Sequence, residues 1–178
     1  MRFAFSLASL VLASSLLATA SFAGPANKVT GDFIRVEDGS DPSKVRDCEI
    51  TAHQEKVTGA KVRSQKGVIY CENEWNGKYW ELDLNPLQTC VNVLDQYQAR
   101  IAGQLVSGTA ANGKYYGFLL QDNGEPSASA AEPDRFWVYA YGSDKDAAMN
   151  FCENGPGDVA PTKEHTVTSG NLKIHFHE

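Results

Sequence analysis

The chain has 178 residues, 42% of them hydrophobic, 10% aromatic and 21% charged, with 15 glycines, 7 prolines and a formal net charge of −6. That profile fits one globular domain and excludes a collagen-like, coiled-coil or largely disordered chain. The basic residues are scattered through an acidic chain, which excludes nucleic acid and an anionic membrane surface as natural partners.

Met1 to Ala23 reads as a secretory signal peptide. Arg2 opens it, an acid-free and mainly apolar run follows, and Ser21-Phe22-Ala23 puts small residues at the positions a signal peptidase reads. Its Ser- and Thr-interrupted core lacks a basic stop-transfer cluster, so no membrane insertion is expected after cleavage. Residues 24–178 then form a single domain bound for the periplasm or for release. All four cysteines (Cys48, Cys71, Cys90, Cys152) lie in that part. An even count in an oxidising compartment reads as two disulfides, and the wide spacing does not suit a zinc site.

Short alternating runs separated by turn residues fill the domain. Strands are expected at Val45–His53, Gly67–Cys71, Lys78–Leu84, Thr89–Leu94, Ala99–Val106, Lys114–Gln121, Arg135–Tyr141 and Asn171–Phe176. Asn76-Gly77, Asn112-Gly113 and Asn123-Gly124 supply residues that tolerate the positive φ of tight turns. Short helices fit only Asp41–Arg46 and Asp144–Phe151. The fold class is therefore all-β, an antiparallel sandwich or barrel of about eight or more strands. A hairpin centred near Gly59 sets Cys48 opposite Cys71, which leaves Cys90 to pair with Cys152. The stretches Gly124–Pro133 and Gly155–Pro161 read as exposed loops.

The C-terminal half carries a recognisable pattern: Gly103, Gly108-Thr109, Asn112-Gly113 and Tyr116-Gly117-Phe118, then Asp122-Asn123-Gly124-Glu125-Pro126, Asp134-Arg135-Phe136 and Ser169 to His175. Over Ala99–Glu178 it resembles an uncharacterised β-rich domain of exported bacterial proteins, whose members repeat a DNGEP, a D-x-F and a terminal GN-I-x-IH strand. This chain departs from that pattern by the insertion Ser127–Glu132 and the extra stretch Ser143–Thr166. The resemblance implies export and an all-β fold, and it brings no catalytic residues with it.

Several groups can carry chemistry. Asp122, Asn123, Glu125 and Asp134 are hard oxygen donors suited to calcium, although the spacing is not that of an EF-hand and a self-bonded Asx turn explains the same residues. Apart from calcium no cofactor is implied. Trp137, Tyr139 and Tyr141 share one face of a strand, and Trp75, Tyr79 and Trp80 gather beside Glu72, Glu74, Glu81 and Asp83. Aromatic faces beside carboxylates suit a glycan, while burial in a core explains large rings equally well. The acids recur at i, i+2 as a glycosidase pair would, or as a solvated strand face does. His175 and His177 share a strand face, and a third metal ligand would have to come from His53 or His165. No nucleophile elbow or phosphate loop is present. The function expected is a non-enzymatic binding or interaction module for an extracellular or envelope ligand, glycan or protein. The alternatives are a calcium-stabilised structural domain and a carboxylate-dependent glycoside hydrolase.

Overall fold

Period-two alternation places apolar side chains on one side of each strand, and nine antiparallel strands bury that side together. The structure is a computed structural model that describes residues 27–55, 64–83, 89–108, 113–124 and 132–177. The expected signal peptide lies outside the described residues. The strands are β1 (Asn27–Asp38), β2 (Asp41–Glu55), β3 (Ser64–Asn73), β4 (Tyr79–Asp83), β5 (Cys90–Val93), β6 (Gln98–Gly108), β7 (Tyr115–Gln121), β8 (Arg135–Gly142) and β9 (Lys163–His175). Helix α1 (Lys145–Asn154) separates the last two.

The sheet closes on itself. Strands β1 to β4 pair in sequence order, as do β6 to β9; β9 returns to β1 and β4 pairs with β6, which gives an eight-stranded up-and-down barrel with β5 added on β6. Strand β5 lies on the same edge of β6 as β4: Leu82 opposes Leu105, and Cys90 opposes Ala102 further along. β4 and β5 thus lie end to end along that edge. The Gln54 side chain of β2 accepts the Val93 amide at 2.9 Å, which ties β5 to the far side of the wall.

Inside the barrel Ile34, Ile50, Ile69, Ile101, Phe118 and Phe136 are fully buried. Cys48 and Cys71 are register partners with Cα atoms 4.1 Å apart, and their disulfide crosses from β2 to β3 within this core. Cys90 and Cys152 form the second disulfide, on the outside, between β5 and α1.

Two expectations are corrected. Asp41–Arg46 is not a helix but the first part of β2, because Val45 and Arg46 pair with Glu37 and Val36 of β1. Strand β1 itself was not expected: a register shift between Gly31 and Ile34 breaks its alternation. Asp144–Phe151 is helical as expected. The Asp144 carboxylate caps the first turn by accepting the Ala147 amide at 2.9 Å. At the other end the Arg100 guanidinium donates to the Phe151 and Glu153 carbonyls and Asn92 donates to the Cys152 carbonyl, so positive charge meets the negative helix end.

Helix α1 lays Ala148, Phe151 and Cys152 on the outer face of β6, β7 and β8. Gly117 makes this close approach feasible: a Cβ there would lie 2.6 Å from Phe151 Cδ1. The chain at this position has an ordinary φ, so the constraint is purely steric. Gly117→Ala is expected to destabilise the fold by about 1–2 kcal/mol through overpacking. In a Phe151→Leu background the same change should cost much less, a coupling that a double-mutant cycle of thermal unfolding reads directly. Equal costs in both backgrounds would show that the ring is not what excludes the methyl group.

Candidate functional site

The up-and-down order brings the end of β1, the start of β2, the end of β3, the start of β4, the end of β6, the start of β7 and the start of β9 to one mouth of the barrel. Among the described residues apolar side chains pack the core of the barrel, and at this mouth lies a cavity of about 200 Å³. Its floor and one wall are apolar, formed by Trp80, Leu105, Phe118 and Val138. Trp80 lies almost parallel to Phe118, with ring centroids 5.4 Å apart and planes inclined by 11°.

The opposite wall is polar and cationic. Arg46 takes the inward parity of Cys48 and Ile50 on β2, so its guanidinium enters the mouth instead of solvent. Its Nε donates to Asn73 Oδ1 at 2.8 Å, its Nη1 lies 3.3 Å from His165 Nε2, and the Trp75 ring lies 5.0 Å beneath its central carbon. Burial pulls the Arg46 guanidinium below its usual pKa, with Asp38 opposing. Among the described residues no carboxylate forms an ion pair with Arg46.

His165, only 3% exposed, stands on β9 opposite Asp38 of β1, with its ring 4.8 Å from that of Phe136. Burial pushes its pKa down to about 4, and the Arg46 charge adds to the effect against the pull of Asp38 and the Glu37 carbonyl. The imidazole is therefore neutral at neutral pH. Asp38 is buried, yet it is held well below the usual carboxylate range. Burial works to raise it, and this is outweighed by the Ser40 hydroxyl and amide and by Lys163, whose Nζ lies 2.9 Å from Oδ2. With Lys163 and Asp38 neutralising each other, the mouth keeps one cation in excess.

The sequence-predicted residues fall in different places. Trp80 lines the cavity and Trp75 covers Arg46 at its rim, 40% exposed. Trp137, Tyr139 and Tyr141 do share the outer face of β8, but they form the seat of α1. Tyr139 is buried with its ring centroid 4.7 Å from that of Phe151, and Trp137 and Tyr141 pack half-buried beside it. Burial raises the Tyr141 phenol to about 12, with Tyr139 adding to it. These rings hold a helix and present no open platform.

In the acidic loop Asp122 Oδ1 accepts the Gly124 amide and Oδ2 the Ile174 amide, while Asp134 Oδ1 accepts the Asn123 amide and Oδ2 the Leu172 amide. Asn123 Nδ2 donates to the Pro133 carbonyl. Glu125 lies outside the described residues. All four oxygens of the two carboxylates thus accept backbone amides, the chemistry of an Asx-type turn extended onto β9.

The glycosidase candidates lie on the outer wall. Glu72 accepts from Tyr70, Glu74 pairs with Arg35 at 2.7 Å and Glu81 accepts from Ser107. The histidines do not converge. His53 and His175 are the register partners of Lys28 on either side of β1, and His165 stands at the other end of β9. Among the described residues no group of three or more His, Cys, Asp or Glu is gathered to hold a metal ion.

Arg46, Asn73 and Lys163 were missed by sequence reasoning, and His165 was weighed only as a metal ligand. A signal existed: Arg46 interrupts the apolar parity of Cys48, Ile50 and Ala52, as His165 does that of Val167. In the comparisons no family model matches this chain, and no curated protein or solved structure matches it significantly.

Proposed function

We propose that this is an exported, non-enzymatic binding module whose ligand sits in the mouth of the barrel. The observation that carries the reading is the cavity of about 200 Å³ at one mouth of the barrel, apolar on one wall and cationic on the other. An eight-stranded barrel is just wide enough either to be filled by its own side chains or to hold one small molecule, and a concave apolar site with a few converging polar groups is the usual form of such a site. Two disulfides suit an oxidising environment. Together with the leader-like segment they support action outside the cytoplasm.

Val138, half-buried on the cavity wall, provides the test. Val138→Phe adds a ring to the open space without altering charge. A ligand-detected NMR screen of small organic fragments is expected to find binders to the wild-type protein whose signals vanish with this variant, while its circular-dichroism spectrum stays unchanged. If no fragment behaves so, the mouth is not a ligand site.

A further inference from the structure

We infer that the occupant of the mouth is a small planar monoanion, an aromatic carboxylate of one ring. This rests on the proposed reading of the cavity as a ligand site and adds its chemical class.

Size sets the first limit. A dry protein cavity of about 150 Å³ holds a benzene ring, so the space of about 200 Å³ here takes one ring with one short substituent. Shape sets the second. The half-buried Trp80 lines the apolar wall with its ring stacked on that of the buried Phe118, so its plane is fixed for a flat ligand to pack against.

Charge sets the third. Arg46 and Lys163 are the cations of the lining, and of these Lys163 is already paired with the buried Asp38. Arg46 is held from behind by Asn73, His165 and Trp75, and its Nη2 makes no hydrogen bond to any described residue. A half-buried guanidinium fixed on three sides and lacking a carboxylate partner matches the two oxygens of a carboxylate in charge and in planar geometry. A second negative charge would have no cation left to meet it, and an ammonium group would face Arg46 directly.

Three probes of nearly equal size separate these claims: benzoate, benzyl alcohol and benzylamine, titrated at neutral pH and followed by calorimetry and tryptophan fluorescence. Benzoate is expected to bind the wild-type protein at least tenfold more tightly than benzyl alcohol, and benzylamine the most weakly of the three. Arg46→Gln should reduce the preference for benzoate over the alcohol to less than threefold, and Arg46→Lys should retain part of it. The ranking on the wild-type protein decides the matter even if either variant fails to fold. If benzyl alcohol or benzylamine binds as well as benzoate, the anion inference is overturned while the ligand site stands. If fragments bind and are displaced by Val138→Phe but benzoate does not bind, the ring-carboxylate class is wrong. If nothing depends on Val138, the underlying reading fails too.

Discussion

Asp134→Ala is expected to lower the stability of the fold by about 3–5 kcal/mol, because it removes a charged acceptor from two backbone amides at once, each such bond contributing about 1.5–3 kcal/mol. The reason lies in how β8 and β9 separate. They pair only from Arg135↔Thr166 to Val138↔Lys163, and β9 then runs on beside β1 alone. The amides of Leu172 and Ile174, which belong to the inward-facing apolar residues of β9, are left without a partner strand. Asp134, itself 5% exposed, reaches Leu172 at 3.1 Å, and Asp122 reaches Ile174 at 2.9 Å. Two side chains thus take over the hydrogen bonding of the missing strand, and the same groups also hold the amides of Asn123 and Gly124. Hydrogen exchange should show the Leu172 and Ile174 amides losing protection first. Asp122→Ala should act in the same direction, and the double variant should cost less than the sum, since β9 can fray only once. Unchanged stability and protection in Asp134→Ala would refute the latch. A calcium-dependent rise in melting temperature that Asp134→Ala abolishes would instead assign these oxygens to an ion.

The parts of the fold legible in the sequence are those where local period and cross-strand register agree. Alternation along the strand expected at Lys78–Leu84 puts Trp80 and Leu82 on one face, and Leu82 is buried in the core with Trp80 packed against it. The Cys48–Cys71 disulfide followed from hairpin register, which β2 and β3 keep without a shift from Arg46↔Asn73 to Glu55↔Ser64. Where a bulge inverts parity the reading failed. On β9 the inward residues are His165 and Val167 before the irregular pairing around Ser169, and Leu172 and Ile174 after it, so only the C-terminal part of that strand looked like one. The mouth was illegible for a different reason. It depends on barrel closure, which sets His165 opposite Asp38 across most of the chain, and no local pattern encodes that pairing. Likewise Tyr139 was visible as one of an aromatic row, but that α1 would fold back over it depended on Gly117, Arg100 and the Cys90–Cys152 link acting together.

The buried imidazole at the mouth makes stability depend on pH in a definite direction. The His165 pKa is about 4 in the folded protein against an ordinary 6.5, so between those values the unfolded chain binds a proton that the folded one does not. Its contribution is therefore complete above pH 6.5 and is lost as the pH falls toward 4, by about 3 kcal/mol for a shift of this size. Every charged group facing the ring is accounted for: Arg46 from β2 and Lys163 from β9 oppose protonation, and Asp38 from β1 favours it. Asp38 does not obscure the window, because its own lowered pKa removes stability only below its unfolded value of 3.8. His175 titrates in the same sense, lowered by burial and then by Lys28 and Lys173, so the comparison belongs in a His175→Gln background. There, denaturant unfolding between pH 7 and pH 4 should show a steep loss that His165→Gln flattens, since the amide keeps an acceptor for Arg46 but takes up no proton. The His165→Gln protein should lose less stability than its parent over that interval even where it starts out less stable. An undiminished slope in His165→Gln would mean that the proton is taken up elsewhere and that the imidazole is not held neutral between Arg46 and the barrel core.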